Sequence, residues 1–469
     1  GIQNAAFGTQ ALGANTSGSN NTAVGNSAAT ANTSGSSNVA VGVNAYLSGT
    51  IGTNNVAIGF QAMDAMVEGD KNVAIGTGAL GADIYGNKSV AIGHEALLAQ
   101  THSSELDFHN TAVGFAAGLN VTTGLDNTLI GGLAGDAITT GGTNTFVGKD
   151  AGGALTTGNS TVGIGKGALA AQTTSGNNVA VGYNAGTAVT TGTNLTLMGD
   201  NAGDAITTVS NLVAIGKNAL SANTSGTSNT GVGYQAGAAI TSGANNTCIG
   251  HDAGVAITTA DGMTLVGTTC GDAITTGASN TAMGHEALST CSTGAENTAF
   301  GRYALQDLTT ASNNVAIGYN AGKDITTGGH NVAVGEHALP VCTTGAGNTA
   351  VGLQALYLLT TASNTVAVGD YALDALTTGG ANNAIGYAAL GACTTGNTND
   401  AFGHGALTTL TTGTHNIGIG QSAGGLITTG THNISIGHQC GDAITTGTHN
   451  VSMGVNAGSA ITTGTLNNF

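Results

Sequence analysis

An apolar residue followed by glycine returns along this chain at a fixed interval. The glycine stands at 8, 25, 42, 59, 76 and 93, then at 114, 131, 148 and every 17 residues to 454. One interval of 21 residues, from 93 to 114, is the only departure among 27 copies. A period this short means one supersecondary unit per repeat, stacked on its neighbours. The unit begins at an Asn, as in Asn21-Thr22-Ala23-Val24-Gly25 and Asn331-Val332-Ala333-Val334-Gly335. We number this Asn position 1, which makes the marker glycine position 5.

Seventeen residues less two turns leave about four or five per strand, too few for useful helices. Position 8 is Ala in 25 copies and Cys in two, and position 15 is Gly in 21 of 27. The expected unit is therefore a coil of two short strands and two glycine-bearing turns, with Gly at positions 5 and 15 supplying unusual backbone angles. Strands of successive coils would pair in parallel, and 27 coils would make a rod roughly 130 Å long. The Asn at position 1 should form an amide ladder along the stack.

Alternation places positions 2 and 4 on one face and position 3 on the other. Positions 9 and 12 compensate in volume, Gly135 going with Ile138 and Leu288 with Cys291, as two side chains sharing one packed space would. Leu356 with Leu359 breaks that rule. Position 3 is Ala in most copies, and we expect it to form an outward apolar stripe buried by identical stripes of other chains. Leu129, Phe146, Leu197 and Leu265 replace this Ala and would widen a shared axis.

Eighty glycines, one proline and 7% charged residues resemble low complexity, but apolar residues at fixed phases argue for order. The net charge is −17 with seven Lys and Arg, so no basic face exists for nucleic acid or an anionic membrane. No apolar run reaches the roughly 18 residues of a membrane span, and no basic, then apolar, leader opens the chain. Both ends fall mid-repeat, which suggests a piece of a longer array or a chain that stacks end to end. Cys291, Cys342 and Cys393 share position 12, three coils apart, too far for a disulfide. With Cys248, Cys270 and Cys440 they read as small buried side chains.

Residues 1–100 are less regular, 101–109 form an inserted loop, and 110–469 are regular coils, all in one repeat domain. The loop carries His102, Glu105, Asp107 and His109, a composition able to hold a metal but also that of a tolerated surface bulge. Positions 6 and 7 vary most and should face solvent. They carry Phe60, Phe115, Tyr183, Tyr234, Tyr319 and Tyr387, amphipathic aromatics suited to contacting a ligand such as a sugar. His415, His432 and His449 share position 17 and should stack rather than bind metal. Asp136, Asp204, Asp272 and Asp442 at position 10 read as solvated turn charges. Gly163-Ile164-Gly165-Lys166-Gly167 imitates a phosphate loop but is the repeat in phase, with no helix following. No catalytic constellation rises above the repeat, and neither an enzyme, a metal nor a cofactor is expected. The Thr pair at positions 13 and 14 raises ice binding, although only one Thr ladder could face outward.

The motif Asn-x-Ala-Val/Ile-Gly-x-x-Ala resembles the head repeats of YadA-like trimeric autotransporter adhesins. Asn178-Val-Ala-Val-Gly-Tyr-Asn-Ala-Gly186 and Asn314-Val-Ala-Ile-Gly-Tyr-Asn-Ala-Gly322 resemble still more the repeats of phage tail-fibre and bacterial surface proteins. The resemblance covers nearly the whole chain and implies a trimeric, left-handed parallel β-roll that serves attachment outside the cell. The period is longer than in YadA-type heads, and no coiled-coil stalk, anchor or chaperone segment is present. The combined expectation is an all-β, parallel β-solenoid of 27 coils acting as an extracellular fibre or adhesin shaft. Its partners would be copies of itself and a cell-surface glycan or protein receptor. A self-stacking structural filament and an ice-binding protein are the two alternatives.

Overall fold

A computed structural model describes residues 1–469. The chain falls into two compact units, Gly1–Tyr234 and Gln235–Phe469. The first holds fourteen strands at positions 2–4, from Ala5–Phe7 to Thr230–Val232, each paired in parallel with the next. Register advances by one repeat per strand, Thr22 facing Val39, and by one repeat plus the insertion where Val90 faces Thr111. The second unit holds thirteen such strands, from Thr247–Ile249 to Val451–Met453, with the same in-register pairing. Both are parallel β-solenoids, as the period requires, and together they make 27 coils.

Each coil has one strand, not the two expected, and most strands are three residues long. The rest of the coil is turn. The Ala134 amide donates to the Gly131 carbonyl at 3.3 Å and the Ile138 amide to the Gly135 carbonyl at 3.1 Å. Two β-turns thus follow one another over positions 5–8 and 9–12. Beyond them the backbone again bonds from coil to coil, Thr122 to Thr139 and Thr139 to Thr156, both at 2.9 Å. A second regular strand does not form because the consecutive turns use up the residues it would need.

The two glycine positions have different reasons. Gly131, at position 5, has φ of 133°, open in practice only to glycine. Gly124, at position 15, has no such angle. A Cβ there would sit 2.3 Å from the carbonyl oxygen of Gly141, so close stacking of coils, not backbone freedom, selects it. Left-handed φ values appear instead at positions 7, 9 and 17, as at Asn184 (52°), Leu169 (52°) and Asn177 (61°). Asn tolerates this region, which accounts for its frequency at 7 and 17.

The alternation of positions 2 to 4 is as expected, but its sense is reversed. Ala at position 3 points inward and is fully buried, as at Ala23, Ala180 and Ala333. Positions 2 and 4 point outward, with Val24 38% and Ile317 44% exposed. Parity fixes which residues share a face, not which face is inside. A coil this thin has room for one layer of side chains between its walls, and Ala at positions 3 and 8 suits it where Val or Ile would not. The Ala stripe is therefore core and cannot be the surface that joins chains.

Position 3 is instead the third member of the space shared by positions 9 and 12. A Cβ on Gly152 would lie 2.4 Å from the Phe146 ring, and one on Gly135 would lie 2.8 Å from both Leu129 and Ile138. Leu129, Phe146, Leu197 and Leu265 fill the gaps over position-9 glycines; they widen no axis. Tyr46 fills the same space over Gly49, with its hydroxyl 3.2 Å from the Asn55 amide nitrogen.

The Asn ladder closes each coil. Asn38 Nδ2 donates to the Gly52 carbonyl at 2.8 Å, and its Oδ1 accepts the Asn55 backbone amide at 2.9 Å. From Asn399 to Asn467 the amides also bond side chain to side chain, at 2.8–3.1 Å. Where Ser89 replaces Asn, Gln100 at position 12 donates to its hydroxyl at 2.9 Å; Gln172 does so for Thr161 at 3.3 Å.

Candidate functional site

The turn after the position-5 glycine carries positions 6 and 7 out of the wall, so side chains there stand in solvent. Phe60, Phe115, Tyr183, Tyr234, Tyr319 and Tyr387 are all 42–58% exposed. They are not brought together. Phe115 stacks on His94 at 5.5 Å, and the Lys166 ammonium lies over the Tyr183 ring at 5.7 Å. Tyr319 and Tyr387 belong to longer ring runs, both in the second unit. Tyr387 touches Tyr371 at 5.9 Å and stacks on His404 at 5.2 Å.

Tyr319 is the centre of five rings on five successive coils. Centroids are 5.8 Å apart for His285–Tyr303, 6.1 Å for Tyr303–Tyr319, 5.3 Å for Tyr319–His337 and 6.1 Å for His337–Tyr357. The Arg302 guanidinium lies 4.4 Å over the Tyr303 ring. His337 and Tyr357 escaped the sequence reading because it took only Phe and Tyr at positions 6 and 7 and His at position 6, whereas the run zigzags through positions 6, 7 and 10 with His at 7 and Tyr at 10. A spacing of 16 to 20 residues between aromatic or His side chains was the available signal.

The inserted loop adds a small second sheet, Leu106–Asp107 pairing in parallel with Gly86–Asn87. Lys88 forms an ion pair with Asp107, and the exposed Asp107 carboxyl is held below its ordinary value mainly by that ammonium. His109 Nδ1 is 3.5 Å from Asp126, while His102 Nδ1 is 3.1 to 3.3 Å from three Ser104 atoms. The two His and two acids of the loop are thus not gathered around one point. No group of three or more His, Cys, Asp or Glu in the chain is arranged to hold a metal ion. Phe108 is fully buried and plugs the coil behind the loop. Ile84, Tyr85, Thr101, His102, Ser103 and Thr123 border an open cleft of about 540 Å³.

Behind that cleft lies a buried polar cluster. Gln100 Nε2 donates to Asp83 at 2.6 Å, Asn110 Nδ2 donates to Gln100 Oε1 at 2.9 Å, and the Gly86 amide donates to Asp83 at 2.9 Å. Burial pushes the Asp83 carboxyl up despite these donors. The position-10 carboxylates are not simply solvated. Asp136, Asp204 and Asp272 are half-buried in the second turn, and desolvation raises each of them, helped by the neighbouring charges of Asp150, Asp200 and Asp252 respectively.

His415, His432 and His449 stack as expected, at 4.7 Å and within 4° of parallel. All six Cys are buried and free, and burial pushes the Cys248 and Cys270 thiols up to about 12. Such thiols are poor nucleophiles. The Thr pair divides its work. Position-13 hydroxyls donate to the next coil's backbone, as Thr122 to Thr139 at 3.1 Å and Thr326 to Thr343 at 2.9 Å, while position 14 stands exposed. No protein-family model matches the chain, and a search of curated proteins finds no relative.

Proposed function

We propose that the protein is a non-enzymatic structural fibre segment that works outside the cell, its copies packed side by side through the outward face of the strands. One observation carries this reading. Position 4 is half-exposed, yet it is Val, Ile, Met or Phe in all 27 coils. A position free to face water would drift to polar residues, as positions 6 and 7 do. Position 2 beside it is Val, Thr or Ile in all but Ala5, Asn383 and Asp400. An apolar β-face repeated rung after rung is covered by a partner of matching spacing, and a second copy has that spacing by construction. Three copies around an axis would cover every such face. The resemblance to YadA-like and tail-fibre repeats supports the trimer and the extracellular setting, with attachment to a surface as its purpose.

The test uses the burial of the native thiols. A new Cys at position 4, Ile317→Cys, should link copies into covalent oligomers under mild oxidation. Thr361→Cys, on the exposed position-14 ladder, should not. Equal linking by both variants, or by neither, would overturn the side-by-side arrangement.

The exposed position-14 Thr ladder favours ice binding as a second reading. It offers one rank of hydroxyls, because the position-13 rank is engaged with the backbone. Thermal hysteresis at micromolar protein would support it.

A further inference from the structure

The geometry points to a second binding surface, in the Gln235–Phe469 unit: the ring run from His285 through Tyr303, Tyr319 and His337 to Tyr357 is a docking strip for an extended, neutral polysaccharide. The rings come one per coil, at 5.3–6.1 Å, so the strip runs along the stack, zigzagging within each coil but repeating once per coil. A linear polymer of rings is what such a row matches. An extended glycan advances by about one rung per sugar, each sugar offering an apolar face of C–H groups to an aromatic ring.

His285 and Tyr319 are exposed and Tyr303, His337 and Tyr357 half-exposed, with one face of Tyr303 taken by Arg302. Most contacts along the run are near perpendicular, 76° to 89°, and in an edge-to-face pair only one partner gives up a face. Tyr319, in the middle, is 42% exposed. Polar groups for sugar hydroxyls flank the row. Glu286 accepts from Gln306 at 2.6 Å, and Asp307 and Asp324 face Lys323 at 3.8 and 3.0 Å.

Charge excludes acidic sugars. The nearby cations are engaged, Arg302 with the face and hydroxyl of Tyr303 and Lys323 with its two carboxylates. The whole chain carries −17. An extended peptide is also a poor match, because strand addition needs unpaired backbone. Here the Tyr303 amide already donates to His285 and the His337 amide to Tyr319, at 3.1 and 2.9 Å.

This inference names the attachment target of the proposed fibre, and so rests on that reading for its biological sense. Only three of the chain's nine Tyr lie in the strip, so binding is read by isothermal titration calorimetry, whose signal does not depend on the rings that the variants remove. We would titrate the full chain with linear β-1,4-glucose, β-1,4-N-acetylglucosamine and α-1,4-glucose oligosaccharides of two to eight units, with a heparin hexasaccharide as the charged probe. At least one neutral series should bind, with affinity rising to about five units and then levelling, and with little response to salt. Replacing Tyr303, Tyr319 and Tyr357 by Ala should weaken binding by about tenfold or more, while Val43→Ala, exposed at position 6 of the first unit, leaves it unchanged. Circular dichroism would confirm that the triple variant keeps its coils. No neutral series binding, binding that survives the triple variant, or binding of heparin alone would overturn the proposal. Molar mass of the same samples reads self-association separately, so loss of one reading is not mistaken for loss of the other.

Discussion

Gly152 and Gly132, on neighbouring coils, differ in what an added side chain would meet. At Gly152 φ is 61° and a Cβ would lie 2.4 Å from the Phe146 ring. At Gly132 no left-handed angle is needed, and the nearest atom would be 4.0 Å away. Gly152→Ala should therefore cost on the order of 2 kcal/mol or more, from overpacking and a left-handed φ together. Gly132→Ala should be neutral or stabilise by up to about 1 kcal/mol, by restricting the unfolded chain. Thermal unfolding of the two variants measures both. Adding Phe146→Ala to Gly152→Leu should recover part of the loss, because Ala367, Leu373 and Leu376 already share a coil in that combination. If the two glycine variants behave alike, the shared space of positions 3, 9 and 12 is not what sets residue choice. The pairing of positions 9 and 12 was legible in the sequence because their volumes trade openly. Position 3 was not recognised as their partner because a run of Ala looks the same whether it lines a core or a flat interface.

At the scale of the coil, the second turn holds charge in a partly dry place. Asp64, Asp136, Asp204, Asp272 and Asp374 all sit at position 10, and desolvation is the largest cause raising each above its ordinary value near 3.8. A carboxyl raised on folding favours the folded state in its protonated form. Its contribution is present in full below the unfolded value and is lost as pH rises through the folded value. The unfolding midpoint should thus rise on acidification from neutral pH toward that range, against the usual trend for paired carboxylates. Changing Asp136, Asp204 and Asp272 to Asn should flatten the profile and raise the midpoint at pH 7. A midpoint that falls steadily over the same interval would contradict the assignment. These acids read as solvated in sequence because nothing local marks burial; the neighbouring coil's carboxylates, Asp150, Asp200 and Asp252, supply part of the effect. The period likewise made the coil legible but not its makeup, since two consecutive turns and one strand occupy the same 17 residues as two strands and two turns.

For the whole molecule, the issue is what covers the strand face. The sequence argued for self-association from an apolar stripe at position 3; that stripe is core, and the outward apolar row on which the proposal rests is position 4. Each unit presents its own row, Val24 through Val232 in the first and Ile249 through Met453 in the second, with no charge at position 4 in either. The fold itself needs no partner to bury Ala at positions 3 and 8, so a variant that loses the interface should keep its coils. Molar mass by light scattering is the most direct measurement, made on the native chain and on a variant with Ile58, Ile130, Ile317 and Ile385 changed to Lys. The native chain should run at a discrete multiple of its 45.0 kDa, three being the closed arrangement, and the variant at 45.0 kDa with an unchanged circular dichroism spectrum. A native chain that remains at 45.0 kDa at high concentration, its position-4 row bare in water, would contradict it.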